Sequence, residues 1–434
     1  MKNILVLLVL ILPAFAWFLK PGFFPVHDDL QAMRQLQMDK CFMDGQIPCR
    51  WVPDMGYGFG YPLFNYYPPL PYLIGQPFRS LGFQYIDTVK IVGILGFVVC
   101  AFFMYLLGKE FFGVRGGLLA SLFYTYAPYH AVDYWVRGAI NEFYAMAFYP
   151  AILLTLYLII KTGHKKHIPL SALSIAGLML SHNLMLLIFF PIAIIWTLFW
   201  VIKFKKLNIE TLKNSLVIGI WSLGLASFFT LPVIFEAKFA HIETLTMGYF
   251  NYLAHFLNWR QIFVIPNWGY GSSELGPADG MSFFLGYLHW FIPLIILIFT
   301  LVSNKLKTQK HLLYLLSAIC ILSLYFTHNK STFFWDNLMP LQNLQFPWRF
   351  LTISAFIASF ISAAAAKIIP NKIILISLIT SLLILNGNYF RPRLWLDNWT
   401  DKQEFSGAKW LRLQNSGIFD YLPKAAKAPP GDPV

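Results

Sequence analysis

Charge is what this sequence has least of. Asp, Glu, Lys and Arg make up 12% of its 434 residues, against roughly 25% in an average soluble chain. An ordinary soluble enzyme is thereby excluded. Cysteine is scarce too: there are four, and none shows the CxxC spacing of a zinc ribbon or finger. The sequence has no Gly-rich P-loop, no HExxH and no GxSxG. The usual signatures of P-loop nucleotide hydrolysis, zinc proteolysis and α/β-hydrolase chemistry are therefore missing. Internal repeats and low-complexity tracts are absent as well.

What is there is mostly apolar. Hydrophobic residues reach 57% and aromatics 18%, the composition of an integral membrane protein. The formal charge of +13 does not make a nucleic-acid binder, because many of the basic residues sit in short clusters between apolar runs, as in cytoplasmic loops. Lys2 and the apolar run Ile4–Phe18 read either as a secretory signal, with Ala14-Phe15-Ala16 resembling a cleavage site, or as a first spanning helix of about 16 to 18 residues. We favour a retained helix, because the carboxylate pair beyond it must be held in place. Ten further apolar runs follow, at approximately 88–108, 114–132, 142–160, 168–182, 184–202, 214–234, 283–303, 311–327, 349–367 and 371–389.

The basic clusters orient these runs. Lys109 with Arg115, Lys161 with Lys165 and Lys166, Lys203 to Lys213, Lys305 to Lys310, and Lys367 with Lys372 all fall on the side of Lys2. The expectation is an all-α polytopic protein of the cell membrane with about 11 transmembrane helices and a cytoplasmic amino terminus. Residues 1–390 form the transmembrane domain. Its large first extracytoplasmic loop, 20–87, contains amphipathic helices. Residues 391–434 form an extracytoplasmic tail that reads as the start of a truncated or missing soluble domain. The tightest connection is a hairpin at Ser181-His182-Asn183. Cys100 and Cys320 lie inside apolar runs and read as core residues. Cys41 and Cys49 flank a polar stretch and are equally readable as a disulfide or as free thiols.

The chemistry-bearing residues gather on the outer side, where ionisable groups at membrane depth point to function. Two adjacent carboxylates, Asp28 and Asp29, stand at the mouth of the first apolar segment. Neighbouring carboxylates repel, and a carboxylate disfavoured in its charged form would make a better general base; the structural alternative is a helix cap or a solvated turn. His27 is a pH-tunable neighbour or a hydrogen-bonded structural residue. Arg34, Arg50, Arg137 and Arg349 lie at outer span ends or in outer loops. Converging guanidinium groups suit a lipid-linked phosphate, whereas a single arginine more often snorkels to headgroups. Glu142 sits at the membrane edge and needs Arg137, another arginine or a metal as partner. His182 interrupts two apolar runs and should point into a polar cavity. The Gly-, Pro- and aromatic-rich run Trp51–Tyr72 is not a regular helix and reads as a loop on the membrane with short helical pieces.

His27-Asp28-Asp29, Gly45-x-x-Pro48-x-Arg50-Trp51, Gly58-x-Gly60-Tyr61-Pro62-x-Phe64 and Arg137-Gly138-x-x-x-Glu142 together resemble a bacterial and archaeal group of membrane proteins labelled 6-pyruvoyl-tetrahydropterin synthase-related. More broadly, an acidic pair after the first span followed by a polar outer loop and many spans resembles the GT-C class of membrane glycosyltransferases. The pterin label finds no zinc-binding histidine set here. The GT-C resemblance implies a polyprenyl-phosphate-linked sugar as donor, a glycan or protein acceptor, inversion at the anomeric carbon, and Asp28 in the position of the family's first acidic residue. Some GT-C enzymes bind a divalent metal, and Glu142 and His182 are the residues that would serve one; no cofactor is otherwise implied.

The resulting expectation is a glycosyltransferase acting at the extracytoplasmic face. Asp28 and Asp29 are its catalytic residues, and His27, Arg34, Arg50, Arg137, Glu142, His182 and Arg349 its substrate-binding residues. The alternatives are a transporter or flippase of lipid-linked sugars, which would need the arginines but no base, and a non-catalytic envelope-assembly scaffold. Transfer predicts that Asp28, Glu142, His182 and Arg349 line one outward cavity.

Overall fold

The structure is a computed structural model, and it describes residues 2–276 and 278–434. Helices dominate it, and the β-bridges are isolated pairs. Among the described residues seven helices are long and apolar enough to cross a membrane: Tyr85–Thr125, Ile140–Thr162, Asn183–Lys203, Ile209–Phe239, Asn304–Thr327, Pro347–Ile368 and Lys372–Tyr389. Three shorter apolar helices, Lys2–Ala14, His167–Ser181 and Tyr287–Val302, match other expected runs. The 41-residue helix Tyr85–Thr125 is broken at Gly113 (φ 76°), between the runs expected at 88–108 and 114–132. The chain folds back there, with Ser121 donating to the Ala101 carbonyl (2.7 Å), so the two expected runs are two helices packed side by side; the three short helices are below the length that by itself marks a crossing.

Two spans form the centre. Ile140–Thr162 and Pro347–Ile368 are each 83% buried, whereas Ile209–Phe239 is 28% and Lys372–Tyr389 17% buried. Ile140–Thr162 packs against Tyr85–Thr125, His167–Ser181 and Asn183–Lys203. Aromatic pairs fill the contacts, such as the stacked rings of Tyr149 and Phe189 (4.1 Å between centroids). Ser354, Ser359 and Ser362 each donate to the carbonyl four residues earlier, which satisfies hydroxyls where there is no water.

The first loop is more ordered than its polarity foretells. Its helix Gln31–Met43 is buried along most of its length although half its residues are polar. Each buried polar side chain finds at least one partner, although Arg34 Nε has none. Gln35 donates to the Tyr72 carbonyl (3.2 Å) and Gln37 to Asp54 (2.7 Å). Asp39 accepts from Gln76 (2.5 Å), Arg79 (3.3 Å) and Tyr85 (2.8 Å). Those bonds fasten it to the helix Leu70–Ser80 and to the first long span. Cys41 and Cys49 are joined as a disulfide (Cα–Cα 5.5 Å), and Cys100 and Cys320 are buried free thiols.

The tail folds back onto this loop. Leu396 pairs with Phe23, the Asp401 carboxylate accepts from the backbone of Tyr85 (2.8 Å) and Ile86 (3.1 Å), and the Val434 amide donates to Tyr57 (3.0 Å).

Candidate functional site

Residues 27 and 28 are anchored through the main chain. The His27 amide donates to the Val136 carbonyl (3.1 Å) and the Asp28 amide to that of Arg137 (2.8 Å). Gly138, at φ 69°, makes this approach fit: a Cβ there would collide with Val26, and its left-handed conformation favours glycine. Gln31 donates both to the Gly138 carbonyl (2.7 Å) and to Asp28 Oδ2 (3.0 Å). Arg34 donates to the same Oδ2 (2.6 Å) and to the Tyr67 hydroxyl (2.9 Å). One oxygen of Asp28 is thus held, while Oδ1 has no partner among the described residues; its side chain is 32% exposed.

A second cluster is built around Glu142 at the start of the central span. Its carboxylate is fully buried and accepts from the Tyr129 hydroxyl (2.6 Å), Arg137 (3.1 Å) and Arg349 (3.2 Å). Arg137 also pairs with buried Asp133 and lies over the Trp348 ring (4.5 Å). Arg349 is fixed by the Leu344 carbonyl (2.6 Å) and Gln345 (3.0 Å). Burial, reinforced by the negative charge of Glu142, holds the Asp133 carboxyl well above the usual carboxylate range.

Both clusters line a single cavity of about 690 Å³, together with His27, His182 and Asp420. His27 reaches the Tyr270 carbonyl (3.0 Å) through Nε2, and the Nδ1 of His182 has no partner. The structure therefore brings together Asp28, His27, Arg137, Glu142, His182 and Arg349 on one wall system. The other three candidates lie elsewhere. Arg34 stands behind Asp28. Arg50 pairs with Glu236 (3.4 Å) at a neighbouring cavity. Asp29 accepts from Lys409 (3.0 Å) and Arg412 (2.6 Å) of the tail and does not border the main cavity.

The residues do not suit a metal. Glu142 already receives three donors, and among the described residues no group of three His, Cys, Asp or Glu converges.

Asp133, Tyr129 and Asp420 did not stand out in the sequence. The spacing of Asp133 and Arg137, four apart, was the one readable signal. Asp420 lies in the tail run Gly417–Pro423, which resembles the segment of the 6-pyruvoyl-tetrahydropterin synthase-related group that enters an outer domain, but nothing in the sequence ties it to the cavity that it reaches from the far end of the chain. Burial pushes its carboxyl up to about 6, with Arg34 opposing and Asp28 adding to the shift. Because this lies above the ordinary 3.8, the native state holds the proton more tightly than the unfolded chain does. The group therefore costs stability as pH rises through about 4 to 6. Asp420→Asn should accordingly raise the thermal midpoint at pH 7.5 and leave it unchanged near pH 4, in paired melts of the two proteins. Asp29→Ala should loosen the tail by about 1–3 kcal/mol, read as faster hydrogen exchange over residues 407–424 with little change in the spans.

A model of the 6-pyruvoyl-tetrahydropterin synthase-related domain, described as a membrane protein, matches residues 64–391. The chain belongs to that family. An uncharacterized protein of Lactococcus lactis subsp. cremoris (strain MG1363) is 24% identical to this family member over 325 residues, covering 71% of the chain and 50% of that protein. The chain thus spans half the length of that relative. Among solved structures, arabinofuranosyltransferase AftD from Mycobacteria, in two cryo-EM classes of a mutant, aligns with TM-scores of 0.52 and 0.50. The identities are 14% and 13%, and each alignment covers 91% of this chain and 28% of AftD. The fold is GT-C-like: an all-helical multi-pass membrane protein.

Proposed function

We propose that this protein transfers a sugar from a polyprenyl-phosphate-linked donor to an acceptor hydroxyl at the extracytoplasmic membrane face. The observation that carries this reading is the single cavity shared by Asp28, Arg137, Glu142, His182 and Arg349. The free Oδ1 of Asp28 takes the acceptor proton. The acceptor oxygen attacks the anomeric carbon from the side opposite the phosphate, the bond to the phosphate oxygen breaks, and the configuration inverts. The leaving lipid phosphate keeps the bonding electron pair. Its charge develops beside Arg137 and Arg349, whose guanidinium groups are already oriented by Glu142 and so need no rearrangement.

Two further observations support this reading. Val233, on the sparsely buried span Ile209–Phe239, lines the same cavity, so the lipid chain has an apolar flank facing the bilayer. The Cys41–Cys49 disulfide lies in the loop that carries Asp28 and suits an oxidising, extracytoplasmic compartment. The deciding assay supplies purified protein with radiolabelled polyprenyl-phosphate sugars and candidate acceptors. Transfer by the wild type that vanishes in Asp28→Asn supports the reading, and undiminished transfer by that variant ends it.

A further inference from the structure

A second cavity of about 310 Å³ adjoins the first, and Tyr66 and Tyr421 line both. Its other walls include Trp51 and Phe239, which are 46% and 61% exposed, and the polar groups Arg50, Asn65 and Glu236. The Asn65 side chain is 7% exposed. Its Nδ2 donates to Glu236 Oε2 (2.8 Å), while its buried Oδ1 has no partner. A buried acceptor without a donor calls for one from a ligand. The indole of Trp51 is held against Gly60, at φ 88°, where any Cβ would strike it. The aromatic platform is therefore built into the loop rather than left to rotate freely.

The charges select the ligand class. Arg50 and Glu236 are paired (3.4 Å), so together they present donors and acceptors with no net charge. A phosphate would meet Glu236, and a purely apolar chain would leave Asn65 unsatisfied. A neutral pyranose fits both demands. Its C–H face covers an aromatic ring, and its hydroxyls donate to Asn65 and Glu236 and accept from Arg50. We infer that this second cavity is a saccharide subsite that holds the acceptor glycan, with Tyr66 and Tyr421 forming the passage to Asp28. Its assignment as the acceptor side rests on the proposed transferase reading; saccharide binding itself does not.

The test is saturation-transfer NMR on the full chain in nanodiscs, free of glycosidic detergent. The probes are the methyl glycosides of glucose, galactose and mannose, with inorganic phosphate as competitor. Ring C–H saturation of at least one glycoside is expected. Its affinity should weaken about tenfold or more in Trp51→Ala and in Arg50→Ala, both at exposed positions, and recover in Trp51→Phe. Asp28→Asn should leave binding intact. Absence of saturation for all three glycosides, equal binding by Trp51→Ala, or displacement by phosphate would each overturn the inference. Trp51-dependent binding without any glycosyl transfer would uphold the saccharide site and remove the transferase reading. Transfer without such binding would do the reverse.

Discussion

Asp28→Asn is expected to lower the transfer rate by about a thousandfold, within the range that general-base catalysis supplies, while the apparent affinity for the lipid donor changes little. The amide is nearly isosteric and can still accept from Arg34 or Gln31, which hold the present carboxylate at 2.6 and 3.0 Å. What it loses is the basic Oδ1 in the cavity. Asp29→Asn serves as the contrast. Its carboxylate faces Lys409 and Arg412, so most of the rate should survive. Steady-state kinetics on both variants decide the matter: equal losses would assign the pair a joint structural role and remove Asp28 as the base.

Glu142→Leu should be the most destabilising single change at the site. It strands the guanidinium group of Arg349, 6% exposed, and leaves Arg137 with Asp133 alone, in a place where unpaired charge costs about 3–5 kcal/mol. That is a large share of the roughly 5–15 kcal/mol by which a typical domain is stable. Much of the variant protein should fail to purify as a single species, and the remainder should melt early. Glu142→Leu combined with Arg349→Leu removes one stranded charge and should recover part of the loss. If the double variant melts no higher than the single one, lost packing rather than stranded charge explains the damage.

The spans, their basic flanks and the first-loop carboxylates were legible because each signal is local: a run of apolar residues, a lysine cluster, two adjacent aspartates. The pairing of Glu142 with arginine was also legible, since an isolated carboxylate at that depth demands a cation. The identity of the second partner, Arg349, was open until helices far apart in sequence met. Asp29 shows why the rest was hidden. Beside Asp28 in sequence, it nonetheless turns toward Lys409 and Arg412, nearly the whole chain away. No period or motif encodes which of two neighbouring side chains faces a cavity. Asp420 was hidden for the same reason, and Arg50 belongs to the neighbouring cavity because Glu236 supplies its partner. The break at Gly113 between two expected runs was legible as well; the number of crossings is a different matter, because three of the expected runs form helices too short for length alone to make them spans.

The two hydrogen bonds that the His27 and Asp28 amides donate to the carbonyls of Val136 and Arg137 make the gap between the proposed base and the proposed anion clamp a main-chain dimension. Peptide units have fixed lengths, so this gap behaves as a ruler with little tolerance. Misplacing reacting groups by about an ångström can cost a hundredfold in rate. On the proposed reading, side chains elsewhere on the cavity wall can change size or polarity, and with them the sugar that fits, without resetting the ruler.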